Sequence, residues 1–319
     1  MDININKNEN TVPQLSEKEI VIIIHNWIRL LNIKLGWIHD FNKIVTKYVM
    51  LFTRLFQLLK ILPTHDAVAS VRFSADGRKI VSVSGDKTFK IWDIASGKTI
   101  QTFTGHLDAI NRAEFSTDGN SVVSCSQDGT IRLWNIISGK EVMKLRGHSG
   151  PVWCVDISPD NKYIVSGSYD KTIRLWDIHS KKEIRNIEGH SRGIQTVQFS
   201  SDGHMVASSS FDKTIGLWDV ESGKRLKQLK GHFNYPKHAK FSPDGQHIVS
   251  CSWNKIIRIW DVKLGEELKE LKGHSHFVNE VKYFPDSRTI VSCSDDKTIR
   301  LWDVKTGDVI QKLEGHTKG

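Results

Sequence analysis

The sequence predicts an all-β chain of repeated four-stranded antiparallel units, preceded by a short α-helical module. Three observations carry this. The phrase "SYDKTIRLWD" at 168–177 recurs with small edits as "SGDKTFKIWD" (84–93), "SQDGTIRLWN" (126–135), "SFDKTIGLWD" (210–219), "SWNKIIRIWD" (252–261) and "SDDKTIRLWD" (294–303). Its tryptophans, Trp92, Trp134, Trp176, Trp218, Trp260 and Trp302, fall 42 residues apart, as do the Gly-His pairs ending at His106, His148, His190, His232, His274 and His316. Within each unit, short β-rich runs alternate with turn signals. A fixed period of this length overrides the domain count that 319 residues would otherwise suggest.

In chain order, residues 1–15 read as a polar, disordered tail. "SEKE" at 16–19 matches a capping box, Ser16 with Glu19, ahead of Ile20, Ile23, Ile24, Trp27 and Leu31 at helical spacing. Gly36 ends that helix. A second starts near Asp40 and uses Ile44, Tyr48, Leu51, Phe52 and Leu55, giving a helical module over 16–54. This module either packs on the rest of the chain or binds a partner. Arg29, Lys34, Lys43, Lys47, Arg54 and Lys60 interrupt its apolar residues, so no membrane span is expected, and "MDININKNEN" lacks the basic start and apolar core of a signal peptide.

From residue 55 to 319 the chain reads as one repeat domain. "DG" at 76–77, 118–119, 202–203 and 244–245 marks one hairpin, the Asp-Lys-Thr segment a second, and "SGK" at 96–98, 138–140 and 222–224 a third. Three turns per 42 residues make four strands. Cys125, Cys251 and Cys293 share a slot that Val83, Gly167 and Ser209 fill elsewhere, so the slot asks for small volume rather than sulfur chemistry. Without a Cys-x-x-Cys pair, neither zinc nor a disulfide framework is favoured, and an intracellular, cytoplasmic or nuclear, setting is expected. The net charge of +9 arises largely from repeat positions such as Lys171 and Arg174, which reads as a diffuse field rather than a nucleic-acid patch.

Gly-His, then Ser-x-Ser-x-Asp, then Trp-Asp, in units of 42 over residues 64–316, resembles the WD-repeat family. The resemblance implies an all-β propeller of WD-repeat type, with six complete repeats plus the start of a seventh. It also implies that each unit supplies the outermost strand of one blade and the inner three of the next. The family's structural network maps onto His106, Ser124, Asp128 and Trp134; His148, Ser166, Asp170 and Trp176; His190, Ser208, Asp212 and Trp218; and His274, Ser292, Asp296 and Trp302. The first unit offers His65, Ser82, Asp86 and Trp92, with His65 one residue out of step. The fifth departs, because Asn254 replaces the aspartate.

Physics explains why such a set recurs. A tight turn leaves backbone N–H groups that a carboxylate can satisfy, and histidine, serine and indole can then pair in series so that no buried polar group is stranded. Asn254 keeps an acceptor but loses the charge, so the fifth blade is expected to be locally the weakest. Serine, histidine and aspartate together resemble a hydrolase triad, but here they recur beside a tryptophan that must be buried, and no Gly-x-Ser-x-Gly elbow occurs. "SGKT" at 96–99 lacks the preceding glycine of a phosphate loop, since Trp92 stands there. The remaining histidines do not cluster at metal-ligand spacing. No enzyme activity, cofactor or metal is implied.

Recognition is expected where the rhythm breaks. Positions three and five after each Gly-His histidine, and the residue before the turn aspartate, should reach the face bearing the channel mouth. They give Pro151, Trp153 and Tyr169 in the third unit, Gly193, Gln195 and Phe211 in the fourth, Tyr235, Lys237 and Trp253 in the fifth, and Phe277, Asn279 and Asp295 in the sixth. The second unit has only Ala109, Asn111 and Gln127. Pro151, Trp153, Tyr169, Phe211, Tyr235, Lys237, Trp253 and Phe277 are therefore the candidate partner-binding residues. The expected function is a non-catalytic scaffold or adaptor that binds a partner protein or peptide. Two other readings stand beside it: substrate receptor of a ubiquitin ligase, and nucleic-acid binding through rings beside Lys237 and Arg192. Finally, "FQLLKILPTH" at 56–65 resembles "VIQKLEGH" at 309–316, one outer-strand segment more than six blades need. The expectation is a C-terminally incomplete seven-bladed ring whose open edge could drive self-association, with a closed six-bladed ring as the competitor.

Overall fold

The computed structural model describes residues 68–314, and these form a six-bladed all-β propeller with no helix. The tail of 1–15, the helical module of 16–54, the segment 56–65 with His65, and the seventh Gly-His pair lie outside the described residues. So does any test of a seventh blade. Blade 1 spans residues 68–103, blade 2 110–145, blade 3 152–187, blade 4 194–230, blade 5 236–271 and blade 6 278–314. Each is a four-stranded antiparallel sheet whose strands lie side by side in chain order. The turn after each Trp-Asp pair leads into the outermost strand of the same blade, such as Thr99–Phe103 in blade 1, before the next blade begins at Ile110.

Position in the ring dictates composition. Second strands such as Tyr163–Ser168 (YIVSGS) are covered by a neighbouring blade on each face, so they are small and apolar almost throughout. The outermost Lys182–Ile187 (KEIRNI) meets solvent and is exposed except at Ile187. The core lies between blades: Trp176 of blade 3 packs with Val123, Leu133 and Met143 of blade 2, and Trp218 of blade 4 with Val165 and Leu175 of blade 3. Trp134 meets the stacked Phe89–Phe103 pair of blade 1 edge-on. At 25 cal/mol per Å², sealing one such indole contributes roughly 4–6 kcal/mol as an upper figure. Blade 6 meets blade 1 where Phe73 joins Phe284, Val291, Ile299 and Leu301.

The expected polar network is present. In blade 3, His148 Nδ1 lies 2.8 Å from Asp170 Oδ2, its Nε2 lies 2.8 Å from Ser166 Oγ, and Trp176 Nε1–H donates to that Oγ at 2.9 Å. Blades 2, 4 and 6 repeat this with His106, Ser124, Asp128 and Trp134; His190, Ser208, Asp212 and Trp218; and His274, Ser292, Asp296 and Trp302. An ionised Asp only accepts, so histidine carries its proton on Nδ1 and the serine O–H donates to Nε2. The carboxylate also closes the turn, taking Thr172 N–H at 3.0 Å, Thr172 O–H at 2.7 Å and Ser149 N–H at 3.0 Å. Burial alone would raise the pKa of Asp128, Asp170, Asp212 and Asp296. These donated bonds outweigh it and hold all four well below the usual carboxylate range. The Gly-His glycine has a steric reason as well, because a Cβ on Gly189 would stand 2.7 Å from the Trp218 ring.

Blade 5 is rewired rather than simply weakened. Arg258 Nη1–H donates to His232 Nδ1 at 3.1 Å, while Asn254 Oδ1 takes only Ile256 N–H at 3.3 Å. With Nδ1 accepting, the proton must sit on Nε2 and point to Ser250 Oγ at 2.7 Å, the reverse of the tautomer in the aspartate blades. Burial, aided by the Arg258 charge, pulls the His232 pKa down to about 3.

Candidate functional site

Successive innermost strands share one irregularity. In each blade the pairing of innermost and second strands skips a single residue near the start: Ala69, Asn111, Trp153, Gln195, Lys237 and Asn279. Such a bulge leaves one residue unpaired and re-aims its side chain. These six are the position five places after the Gly-His slot, and Ala69 fixes the first unit's register. Ala69, Asn111, Trp153, Gln195 and Lys237 together line a cavity of about 140 Å³ at the channel mouth, and Lys237 Nζ bonds Asn279 Oδ1 at 2.5 Å.

The residues before the turn aspartates close on the same end. Tyr169 N–H donates to Pro151 O, Phe211 N–H to Gly193 O and Asp295 N–H to Phe277 O, at 2.9–3.0 Å. Gly193 leaves room for Tyr169, whose Cα would be 3.1 Å from any Cβ there. Tyr169 is 59% exposed. Phe211, Tyr235, Trp253 and Phe277 form a continuous row across blades 4 to 6. Phe211–Tyr235 and Tyr235–Trp253 meet edge to face at 5.5 and 5.7 Å, and Trp253 stacks on Phe277 at 5.6 Å. All four are half-buried against one another, and Phe233, 82% exposed, adds a free ring in the loop ahead of Tyr235. Sequence spacing placed Pro151, Trp153, Tyr169, Phe211, Tyr235, Lys237, Trp253 and Phe277 on one face, and the structure brings them there.

Sequence reasoning missed what lies beneath. Alternate residues of the innermost strands gather around the channel: Ser70, Arg112, His238 and Glu280 line the mouth, and beneath them Arg72, Glu114, Asp156, Lys240 and Lys282 form a charged cluster, while Cys154 packs in the core between blades 3 and 4 and Thr196 bonds Ser209. Arg72 pairs with Glu114 at 2.5 Å and Glu280 at 3.1 Å, and Arg112 lies 3.5 Å from each of the same carboxylates. Asp156 Oδ2 accepts Phe199 N–H and Gln198 Oε1 accepts Phe241 N–H, both at 2.9 Å, stitching blade 3 to blade 4 and blade 4 to blade 5. Burial raises Asp156 to about 6 and pulls Lys240 and Lys282 down. The signal was available: these residues too fall 42 apart, but as charges in an otherwise apolar strand they broke no repeat motif.

The six serines of the repeating network are sealed, from 0% exposure at Ser166 to 9% at Ser82, and each receives an indole N–H. Such hydroxyls are closed to substrate.

The repeat region matches the family described as "WD domain, G-beta repeat" at residues 56–93, 97–135, 139–177, 181–219, 223–261 and 265–303. Similar curated proteins include an uncharacterised WD repeat-containing protein of Synechocystis sp., 56% identical over 43 residues, which are 13% of this chain and 12% of the relative. The nuclear distribution protein PAC1 of Coccidioides posadasii is 37% identical over 62 residues, 17% of this chain and 13% of the relative. WD repeat domain-containing protein 83 of Danio rerio is 40% identical over 40 residues, 12% and 13%. Each match spans about an eighth of the relative's length.

Proposed function

The chain belongs to the WD-repeat family, and from that premise we propose that it is a non-catalytic scaffold whose channel-mouth face binds a partner protein or peptide. The observation that carries this is the convergence of the non-repeating side chains. Five of the six bulged residues meet at one cavity, with a row of four rings beside it. Aromatic anchors bordering a pocket are where binding energy concentrates in protein interfaces. The opposite face carries the Asp-Gly and Ser-Gly-Lys turns, which repeat from blade to blade and so offer little to discriminate with.

The ring row also favours protein over nucleic acid. Within the row each ring already gives a face or an edge to its neighbour, which leaves less of it for a base to stack on. Affinity capture should compare the wild type, a Trp153→Ala, Trp253→Ala double variant, and an Ile137→Ser variant that alters the opposite face. Proteins retained by wild type and Ile137→Ser but lost from the double variant are expected. An identical set on all three, with folding intact, would refute the reading.

A further inference from the structure

We propose that the channel mouth takes an acidic side chain, aspartate or glutamate, of a bound peptide; this rests on the protein-binding reading and assigns its anchor. The cavity is lined by Ser70, Arg112, Trp153, Gln195, Lys237 and His238, among others, and its one acid, Glu280, is already held by Arg72 and Arg112. Among the described residues, Trp153 Nε1–H and Ser70 Oγ in the lining are buried and meet no hydrogen-bond partner. An indole N–H can only donate, so whatever completes it must be an acceptor. Buried donors left unmet are costly, and a ligand that meets them recovers that cost. At about 140 Å³ the space is several times what one water needs, room for the end of a side chain rather than for a fold.

Charge gives the acceptor its sign. The channel and its mouth hold Arg72, Arg112, Lys237, Lys240 and Lys282 against Glu114, Asp156 and Glu280. Burial disfavours Lys240 and Lys282 as cations and Arg72 adds to this, while Glu114 and Asp156 offset only part of it, so a carboxylate entering from above would favour the charged form of both. The face around the mouth has the same sign. Lys87, Lys171, Lys213, Lys255 and Lys297 all stand exposed in the turn between second and third strands, on this one end of the ring. Each is held at a positive φ of 69–77°, where blade 2 has Gly129. A lysine in that conformation carries strain that glycine avoids. These five lysines are therefore spread around the ring but confined to one of its faces, while Lys98, Lys140 and Lys224 of the Ser-Gly-Lys turns lie at the other. They would steer an acidic segment toward the mouth.

The test pans a displayed library of random twelve-residue peptides against the full chain and resynthesises the winners with each Asp changed to Asn and each Glu to Gln. Enrichment of an acid at one fixed position is expected, with at least about a tenfold loss of affinity for its amide. Trp153→Phe keeps an aromatic side chain and removes the N–H, so it should weaken the acidic peptide severalfold and its amide form less, because the amide oxygen is the weaker acceptor. Lys237→Met should shrink the acid-to-amide difference further, with unaltered urea midpoints confirming that both variants fold. Peptides that enrich with no fixed acid, or whose acid and amide forms bind alike, overturn the anchor while leaving protein binding standing. No peptide enrichment at all overturns both, and salt-sensitive capture of an oligo-dT strand in its place would install the nucleic-acid reading.

Discussion

Replacing Arg258 with methionine separates a borrowed bond from a decorative one. Arg258 is 2% exposed and donates to His232, Glu267 and Glu270. Its counterpart Arg174 pairs with Glu183 alone, and Arg132 with Glu141 alone. Each glutamate is near one-third exposed, so each such pair contributes about 0.2–1 kcal/mol. The bond from a charged donor to the buried His232 imidazole contributes about 1.5–3 kcal/mol. Arg258→Met should therefore cost about 2–5 kcal/mol, roughly 2 kcal/mol or more beyond Arg174→Met, since methionine fills the stem's volume in both. With a denaturant slope of about 2 kcal/mol/M, the two variants' urea midpoints would differ by about 1 M. Imidazole ¹⁵N spectra provide an independent check: His232 should be the Nε2–H tautomer and His148 the Nδ1–H tautomer. Equal losses at 174 and 258, or His232 protonated on Nδ1, would refute the compensation argument.

Asn254→Asp should switch His232 to the Nδ1–H form in the same spectra, because a carboxylate placed there accepts a hydrogen bond from Nδ1–H and so moves the imidazole proton from Nε2 to Nδ1. Ser166→Ala should cost about 1–3 kcal/mol in chemical denaturation, since it strands the Trp176 N–H and a histidine nitrogen in a site with no solvent. Stability should fall with acid in two stages. His106, His232 and His274 have folded pKa values below 6.5, so their contribution is present above 6.5 and is lost below it, to about 3 for His232. The network aspartates, depressed below 3.8, add a second loss beneath that pH. Asp156, raised to about 6, opposes this between 3.8 and 6, so the profile is best read in Asp156→Asn, where a melting temperature flat from pH 7 to 4 and then collapsing would show the histidines contribute nothing. Iodoacetamide should modify the half-buried Cys293 first and spare Cys125, Cys154 and Cys251, whose thiols burial pushes up; mass spectrometry of the native protein reads this directly.

The frame was legible because every part of it repeats. The serine, histidine, aspartate and tryptophan of a blade satisfy one another, so losing one leaves the others needing a substitute, and the spacing of 42 exposes all four at once. Blade 5 shows the limit. Asn254 announced a missing charge, but the compensating Arg258 occupies a slot that holds an arginine in four of the six units, and nothing in the letters tells which of those arginines turns inward toward a histidine. The decisive difference is geometric: Glu267 and Glu270 hold the guanidinium from two sides, where Arg174 has only Glu183. The channel rings were hidden for a related reason. A charge at Glu114 or Lys282 reads as the solvent-facing side of an alternating strand, and only closure of the ring turns that side into an interior.

The bulge explains how one fold carries both constancy and individuality. A residue in the ladder must suit the blades stacked on either side, which is why Gly167 stands where a Cβ would come within 2.5 Å of Ile194. The residue the ladder skips has no such neighbour across the sheet, so Ala, Asn, Trp, Gln, Lys and Asn can occupy the same site in six blades without disturbing a single pair of strands. Exchanging Trp153 with Gln195 should accordingly leave the unfolding free energy within about 0.5 kcal/mol of wild type, as for surface substitutions, while relocating the mouth's one indole donor. If that exchange unfolds blade 3 or 4, the bulged positions are part of the frame after all, and their variety would need another cause.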